Sequence, residues 1–191
     1  MKGKETQVIR ALIEMQGKEL NISRLSEHAC MDYKNTYTIV RRLEKSSVVV
    51  LKPFGRNIRV TLKRKVHPLV YQAEFERTQK FLKKRDFLVL YKKLHSLNFP
   101  FIALVFGSHA KGRVTRQSDV DLLVISEPGR GEAIQGIIDL FPFNIHLTLI
   151  TFDDFASMLR SREFSVVSEA VRKNIVLVGI EDYYRLMENA A

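Results

Sequence analysis

Four residues in the second half of the chain have the types and the spacing of a site for phosphate and metal. Gly107 and Ser108 directly follow an apolar run, and Asp119 and Asp121 come after a spacer of ten residues. A glycine lets a phosphate approach the backbone, and the free N–H groups at a helix start bind anions. Carboxylates two residues apart on a strand point to one face, where Mg²⁺ relieves their repulsion and can bridge to nucleotide phosphates.

Neighbouring side chains extend this site, and each also has a plain structural interpretation. Lys111 and Arg113 come just after the Gly-Ser turn and can reach a phosphate, or they are solvated surface charges. Ser118 either orients Asp119 or belongs to a turn. We expect His109 to be a surface residue of the turn rather than a ligand.

The elements that must position these residues predict a mixed α/β domain. Apolar or alternating runs indicate strands in the segments FIALVF, VDLLVIS and NIHLTLI, and IVLVG is a further short apolar run. Helices are predicted in the segments GEAIQGIIDLF, FDDFASMLR, EFSVVSEAVRK and EDYYRLMEN. Strands that alternate with helices indicate a sheet with flanking helices. Before them, residues 67–98 predict one long amphipathic helix as a connector.

The net charge of +10 is concentrated near the start of the chain. Residues 1–66 hold 15 Lys and Arg against 6 Asp and Glu, whereas residues 99–191 hold 9 against 12. A basic domain attracts a polyanion such as nucleic acid. The mildly acidic second half needs a different explanation, which the candidate metal site offers.

The basic segment predicts three helices and a hairpin. A first apolar stripe at helical spacing ends at Gly17. Ser23 is the predicted N-cap of a short second helix, and Asp32 caps a third helix that runs through Lys45. The buried face of this third helix is predicted to include Thr36, Ile39, Val40 and Leu43. The runs VVVLKPF and NIRVTLK flank a turn at Gly55 and predict a β-hairpin.

Three helices and a hairpin in this order resemble a winged helix-turn-helix domain over residues 4–65. The resemblance implies binding to double-stranded DNA, with the third helix in the major groove and the hairpin tip at the backbone or minor groove. The side chains predicted to face DNA are Lys34, Asn35, Tyr37, Thr38, Arg41, Arg42 and Arg56. Asn and Arg suit base edges, whereas Lys, Thr and Tyr suit phosphates. The alternative is a winged helix that serves protein contacts or dimerisation.

The segment VFGSHAKGRVTRQSDVDLLVI resembles the DNA polymerase β-type nucleotidyltransferase superfamily, and most of all its small, minimal members. The resemblance spans residues 80–191. It implies that a nucleoside monophosphate is transferred from an NTP, usually ATP, to an acceptor hydroxyl, with release of pyrophosphate. It also implies that Gly107 and Ser108 hold the β- and γ-phosphates and that Asp119 and Asp121 hold Mg²⁺ or Mn²⁺.

One position departs from the superfamily pattern. Active members have a third carboxylate on a neighbouring strand, which binds the catalytic metal and helps to deprotonate the acceptor. Here the aligned residue is His146, and Asn144 and Thr148 on the same predicted face carry no charge. A neutral imidazole can ligate a metal or accept a proton, but it suits Mg²⁺ poorly, so His146 is either functional or a space-filling replacement. Asp153 and Asp154 come later and are predicted to cap the next helix.

The predicted architecture is α/β (α+β), with three parts. These are a winged helix at 1–66, a connecting helix at 67–98 and a nucleotidyltransferase domain, built on a mixed sheet with flanking helices, at 99–191. Three functions remain open. The chain is a Mg-NTP-dependent enzyme acting on a protein or small-molecule acceptor, a DNA-binding transcription regulator whose degenerate domain only binds or senses nucleotide, or a partner in a toxin–antitoxin-type pair.

The remaining predictions concern compartment and assembly. The apolar runs are too short to span a bilayer and the first residues contain no apolar signal core, so we expect no membrane association and a cytoplasmic location. The single cysteine, Cys30, fits a reducing compartment. Because winged helices often read paired half-sites, we also consider a homodimer.

Overall fold

The structure is a computed structural model that describes residues 2–115, 118–161 and 163–189. The chain divides into two compact units, Met1–Phe75 and Glu76–Ala191. Among the described residues, every helix is too short or too polar to cross a lipid bilayer.

The first unit contains three helices and a two-stranded antiparallel hairpin. Its elements are α1 (Lys2–Glu14), α2 (Ile22–His28), α3 (Tyr33–Lys45), β1 (Val49–Phe54) and β2 (Asn57–Leu62). The last residue pair of the hairpin is Phe54 with Asn57, so Gly55 and Arg56 form a two-residue turn. Gly55 has a φ of +56°, which a glycine adopts without steric cost. These are the elements, in the order, that the sequence predicts.

The start of α2 corrects one prediction. Asn21, not Ser23, is the N-cap, because the Asn21 side chain accepts a hydrogen bond from the backbone N–H of Arg24 at 2.9 Å. Asn21 also forms an isolated antiparallel bridge with Arg59 of the hairpin. That bridge gives Asn21 the extended backbone that an N-cap needs. The N-cap of α2 is therefore determined by a contact with a residue 38 positions away, which the local sequence does not reveal.

The start of α3 confirms another prediction. Asp32 is its N-cap and accepts a hydrogen bond from the backbone N–H of Asn35 at 2.8 Å. This bond and a second one from the Asn35 side chain hold the pKa of Asp32 below its usual value. The four residues predicted to face the core of α3 are the four that are buried.

The predicted connecting helix over residues 67–98 is instead two helices. They are α4 (Pro68–Phe81) and α5 (Arg85–Leu94). Lys84 between them has extended backbone angles, and the rings of Phe81 and Phe87 pack across the break at a centroid distance of 4.3 Å. Phe87 and two leucines of α5 are buried in the core of the second unit. Apolar periodicity continues through both helices, so periodicity alone could not show the break.

The second unit is a four-stranded mixed sheet with helices, as the predicted fold class requires. Its further elements are β3 (Phe101–Phe106), α6 (Gly107–Lys111), β4 (Val120–Ser126), α7 (Gly131–Ile138), β5 (Ile145–Ile150), α8 (Phe152–Ser161), α9 (Val166–Arg172), β6 (Ile175–Val178) and α10 (Ile180–Asn189). The strand order is β5-β4-β3-β6. Strand β3 is antiparallel to β4 and β6, and β4 is parallel to β5.

Burial differs sharply across this sheet. Every residue of β3 is buried, and so is every residue of β4 except Asp121. The edge strand β5 has no fully buried residue. Because β3 and most of β4 are buried on both faces of the sheet, their sequences FIALVF and LLVI are continuously apolar instead of alternating. Asp121 is therefore a carboxylate at the one accessible position of a core strand.

Candidate functional site

The contact between Gly107 and Asp121 organises the site. Asp121 pairs in register with Phe106, the last residue of β3, and Gly107 begins α6 immediately after it. Gly107 has a φ of +64°, and a Cβ added there would lie 1.8 Å from Oδ2 of Asp121. No side chain fits in that space, so only glycine allows the carboxylate and the turn to lie this close.

The turn that follows is a short helix that begins at buried Gly107 and half-buried Ser108. Helix α6 is followed by its C-cap, Gly112, which has a φ of +69° and donates its backbone N–H to the Ser108 carbonyl. The backbone N–H of Arg113 also reaches the Ser108 carbonyl, at 3.0 Å. The first N–H groups of a helix have no acceptor within that helix. Those of α6 begin directly beside the Asp121 carboxylate.

The two aspartates and His146 lie at one end of the sheet. Asp119 is exposed just before β4, while the Asp121 side chain is 30% exposed. Strand β5 places His146 directly opposite Asp121, on the same face. Oδ1 of Asp121 and Nδ1 of His146 are 3.7 Å apart, which is longer than a hydrogen bond. Among the described residues, no three His, Cys, Asp or Glu side chains form a metal-binding cluster by themselves.

Ser118 and His109 make hydrogen bonds around the segment just before Asp119. The Ser118 hydroxyl accepts a hydrogen bond from the backbone N–H of Thr115 at 2.9 Å. Of the two roles considered for Ser118, this bond is the one expected of a turn residue. The Ser118 carbonyl lies 3.3 Å from Nε2 of His109. Since a carbonyl only accepts, this contact requires the imidazole proton on Nε2.

His109 is therefore not the simple surface residue that the sequence predicts. Its ring is half-buried and meets the ring of Phe87 edge-on, with centroids 5.2 Å apart. The His109 side chain contacts Phe87 of α5 on one side and Ser118, the residue before Asp119, on the other. The sequence carried no signal for this, because the contact with Phe87 depends on where α5 packs.

Lys111 makes a contact that sequence reasoning missed. Its Nζ lies 2.8 Å from Oε1 of Glu169, a residue of α9 that is 58 positions away. Both side chains are partly exposed. Glu169 therefore lies beside the predicted phosphate-binding turn, where its carboxylate competes with a phosphate for the Lys111 ammonium group. Arg113 is exposed.

A family model described as a nucleotidyltransferase domain matches residues 92–176. The match contains the whole stretch from Gly107 to His146, although it covers less than half of the 191 residues. No curated protein and no solved structure matches the chain. The match supports a nucleotidyltransferase domain in the second unit and leaves the first unit outside it.

The late aspartates, Asp153 and Asp154, lie in the first turn of α8. Oδ2 of Asp154 lies 2.7 Å from the Thr151 hydroxyl, and the backbone N–H of Asp154 donates back to that hydroxyl at 3.1 Å. This reciprocal pair caps α8, as predicted. Asp153 lies in the first turn of the same helix, where a negative charge is favourable.

The residues predicted to contact DNA lie on α3 and at the hairpin turn of the first unit. All are exposed except Arg41, which is half-buried. Nε of Arg41 donates to the Tyr37 hydroxyl at 3.1 Å, and its Nη1 donates to Glu44 at 3.1 Å. The hydrogen bond to Tyr37 is the largest cause that raises the pKa of Arg41. Tyr37 and Glu44 therefore hold the Arg41 guanidinium in one place on the helix surface.

The other α3 side chains also make local contacts. The Asn35 amide donates to Asp32, and the Thr38 hydroxyl donates to the Lys34 carbonyl at 2.9 Å. At the hairpin, Arg59 pairs with Glu19, and its guanidinium lies 4.3 Å from the centre of the Phe54 ring. Sequence reasoning did not single out Arg59, whose partners come from a distant loop and from the opposite strand.

Proposed function

We propose that the nucleotidyltransferase domain transfers a nucleoside monophosphate from a metal-bound NTP to an acceptor hydroxyl. The contact between Gly107 and the Asp121 carboxylate carries this proposal. It brings the start of a helix and a carboxylate together at a spacing that no other residue at position 107 permits. The match of residues 92–176 to the family model supports the same reaction class, and ATP as the donor rests on the superfamily resemblance.

In this proposal the turn after β3 holds the donor phosphates. The backbone and the hydroxyl of Ser108 donate to phosphate oxygens, and the glycine before it lets them approach. Arg113 adds an exposed cation. Lys111 adds a second cation when its Nζ leaves Oε1 of Glu169, from which it is separated by 2.8 Å.

The donor atoms fit one divalent ion. Mg²⁺ is commonly bound through one or two protein carboxylates, with the other positions taken by water and substrate phosphates. Asp121 at the accessible position of β4 and exposed Asp119 before it supply such carboxylates. A cluster of three protein ligands is not required for this mode. When bound, the ion neutralises phosphate charge and orients the donor.

The reaction is an in-line displacement at the α-phosphorus. The acceptor oxygen forms a bond to that phosphorus, the bond to the oxygen bridging the α- and β-phosphates breaks, and pyrophosphate leaves. The acceptor hydroxyl gives up its proton, which passes to solvent water. We place His146 on the acceptor side, since β5 holds it opposite Asp121 and its side chain is 74% exposed.

A second function is favoured by the same histidine. A neutral imidazole where the superfamily pattern has a carboxylate weakens activation of the acceptor. The alternative is a regulator whose nucleotidyltransferase domain binds or senses NTP without transfer, and whose first unit binds DNA.

One experiment separates transfer from binding. The full chain is incubated with α-labelled ATP, Mg²⁺ or Mn²⁺ and host lysate, beside the Asp119→Ala/Asp121→Ala variant. Label transferred by the wild-type chain and not by the variant supports the enzyme, with the labelled band giving the class of acceptor. Saturable ATP binding that requires both aspartates, without any label transfer, would support the regulator instead.

We further propose that the first unit binds double-stranded DNA through α3 and the hairpin turn. Residues 1–66 carry the excess of basic residues, and α3 presents exposed Lys, Asn, Thr and Arg side chains on its outer face. Arg41, held by Tyr37 and Glu44, is suited to contact a base edge because little side-chain entropy remains to be lost. Exposed Arg56 in the turn is placed for a backbone contact.

A salt titration of duplex binding tests this. Affinity of the wild-type chain should fall steeply with salt, and the Arg41→Ala/Arg42→Ala variant should lose about two units of the log–log salt slope if both side chains contact phosphates, or about one if Arg41 reads a base. The Lys18→Ala variant, which removes a charge from an exposed position outside α3, is the control. Binding that is insensitive to salt and to the double substitution would exclude this surface.

A further inference from the structure

The Asp121 carboxylate has two different neighbours. Its Oδ2 lies against Gly107, where an added Cβ would be 1.8 Å away. Its Oδ1 faces Nδ1 of His146 at 3.7 Å. Because one oxygen is enclosed by the turn, the orientation of the carboxylate is set, and the oxygen left for a further contact is directed towards β5.

The separation of Oδ1 and Nδ1 is close to that of two adjacent ligands of one metal ion. It is too long for a hydrogen bond between them. With bonds of about 2.1 Å, adjacent ligands are about 3.4 Å apart on a tetrahedral ion and about 3.0 Å apart on an octahedral one. The observed 3.7 Å exceeds both values slightly, so a small rotation of the imidazole towards Asp121 brings the two atoms to either separation.

His146 is free to make that rotation. Its side chain is 74% exposed, and its backbone is held by the pairing of β5 with β4. Within the described part of the chain it has no hydrogen-bond partner. A ligand with a fixed backbone and a mobile ring costs little to reorient.

From this geometry we infer that Asp121 and His146 bind one divalent ion together, and that the site prefers Mn²⁺, Co²⁺ or Zn²⁺ to Mg²⁺. Imidazole nitrogen suits Zn²⁺ best and is also accepted by Co²⁺ and by Mn²⁺, the hardest of the three, whereas Mg²⁺ prefers oxygen ligands throughout. This deepens the proposed function, on which it rests, by naming the metal class. His146 is then a metal ligand rather than a space-filling residue.

Binding of metal to the full chain tests the inference without any turnover. Affinities for Mg²⁺ and Mn²⁺ are measured by calorimetry in the presence of a non-hydrolysable ATP analogue, and pulsed EPR of bound Mn²⁺ detects a coordinating nitrogen. We expect Mn²⁺ to bind at least about tenfold more tightly than Mg²⁺ and to show nitrogen coupling. The His146→Asp variant should lose the coupling and most of the preference, through tighter Mg²⁺ binding.

The chain offers a matched control and a separate test of the underlying site. His28 lies 3.1 Å from Glu14, an exposed imidazole–carboxylate pair in the first unit, so His28→Ala should leave both readouts unchanged. Nitrogen coupling that persists in His146→Ala would overturn the inference while leaving the metal site intact. Metal binding that is unchanged in Asp121→Asn would overturn the proposed function itself.

Discussion

The two units of the chain carry their candidate functional groups in opposite ways. In the first unit the groups lie on the outer face of α3 and at the hairpin turn, and the contacts described for those of α3 come from residues three or four positions away. Arg41 with Tyr37 and Glu44 is an example. In the second unit the groups come from the ends of three strands and are brought together only by the sheet.

This difference predicts different responses to substitution. A surface helix tolerates the loss of one side chain, because its neighbours keep their backbone positions. A site assembled at the ends of core strands is coupled to packing, so a change in one segment displaces groups on the others. Substitutions at the sheet should therefore affect stability and ligand binding together, whereas substitutions on α3 should affect binding alone.

The largest effect is expected for Gly107→Ala. The new Cβ would meet the Asp121 carboxylate at 1.8 Å in a backbone of positive φ. Strain and overpacking together should cost about 2–5 kcal/mol of unfolding free energy and weaken metal–nucleotide binding by about 100-fold or more. Chemical denaturation and calorimetry measure the two quantities.

Gly112→Ala is the matched control for this prediction. Gly112 has nearly the same φ, +69°, but nothing lies within 4 Å of an added Cβ. It should lose only the backbone strain, about 1–2 kcal/mol, and keep its metal affinity. If the two variants behaved alike, the close approach of Gly107 to Asp121 would not be what organises the site.

The next effect concerns the strand beneath the site. Leu123 of β4 is fully buried, so Leu123→Ala should destabilise the chain by about 2–5 kcal/mol. Leu149 of the edge strand β5 is 40% exposed, and Leu149→Ala should cost less than about 1.5 kcal/mol. Denaturant unfolding of both variants gives the difference. Similar losses would mean that β5 is covered more than its exposure indicates.

Local patterns predicted the elements of both units well, for a physical reason. Helix periodicity, strand burial and the Asp32 cap depend on residues within a few positions of one another, and the structure confirms them. The α2 cap and the break at Lys84 differ from prediction because distant contacts decide them: the bridge from Asn21 to Arg59, and the packing of Phe87 in the second core.

The same distinction between local and distant determinants applies to the residues of the candidate site. The sequence pattern singled out the Gly-Ser turn, the aspartate pair and His146, because their spacing along the chain is itself informative. It could not reveal Glu169 beside Lys111, the half-buried ring of His109, or which oxygen of Asp121 faces β5. These depend on strand register and helix packing, which segments far apart in sequence determine together.

A smaller effect is expected at the contact between Lys111 and Glu169. Glu169→Gln removes the negative charge that faces Lys111 and leaves the lysine available to phosphate. Since partly exposed pairs contribute little, we expect nucleotide affinity to rise by about two- to fivefold with stability nearly unchanged. Lys111→Ala should instead lower the affinity. Equal affinities in wild type and Glu169→Gln would show that Lys111 does not contact the nucleotide.

The smallest effect belongs to the first unit and should leave the second unit untouched. Asp32 has its pKa lowered by the hydrogen bonds from Asn35, so its carboxylate stabilises α3 above the usual pKa of 3.8. That contribution is lost as pH falls below 3.8 and through the lowered pKa, because the unfolded chain then binds the proton more readily. Asparagine caps a helix without titrating, so Asp32→Asn should unfold with a weaker pH dependence in this acid range. Thermal unfolding followed from about pH 5 to about pH 3, on both sides of that usual pKa, measures the difference. A variant whose acid response equals that of the wild type would show that the local cap of α3 contributes no measurable part of the acid sensitivity.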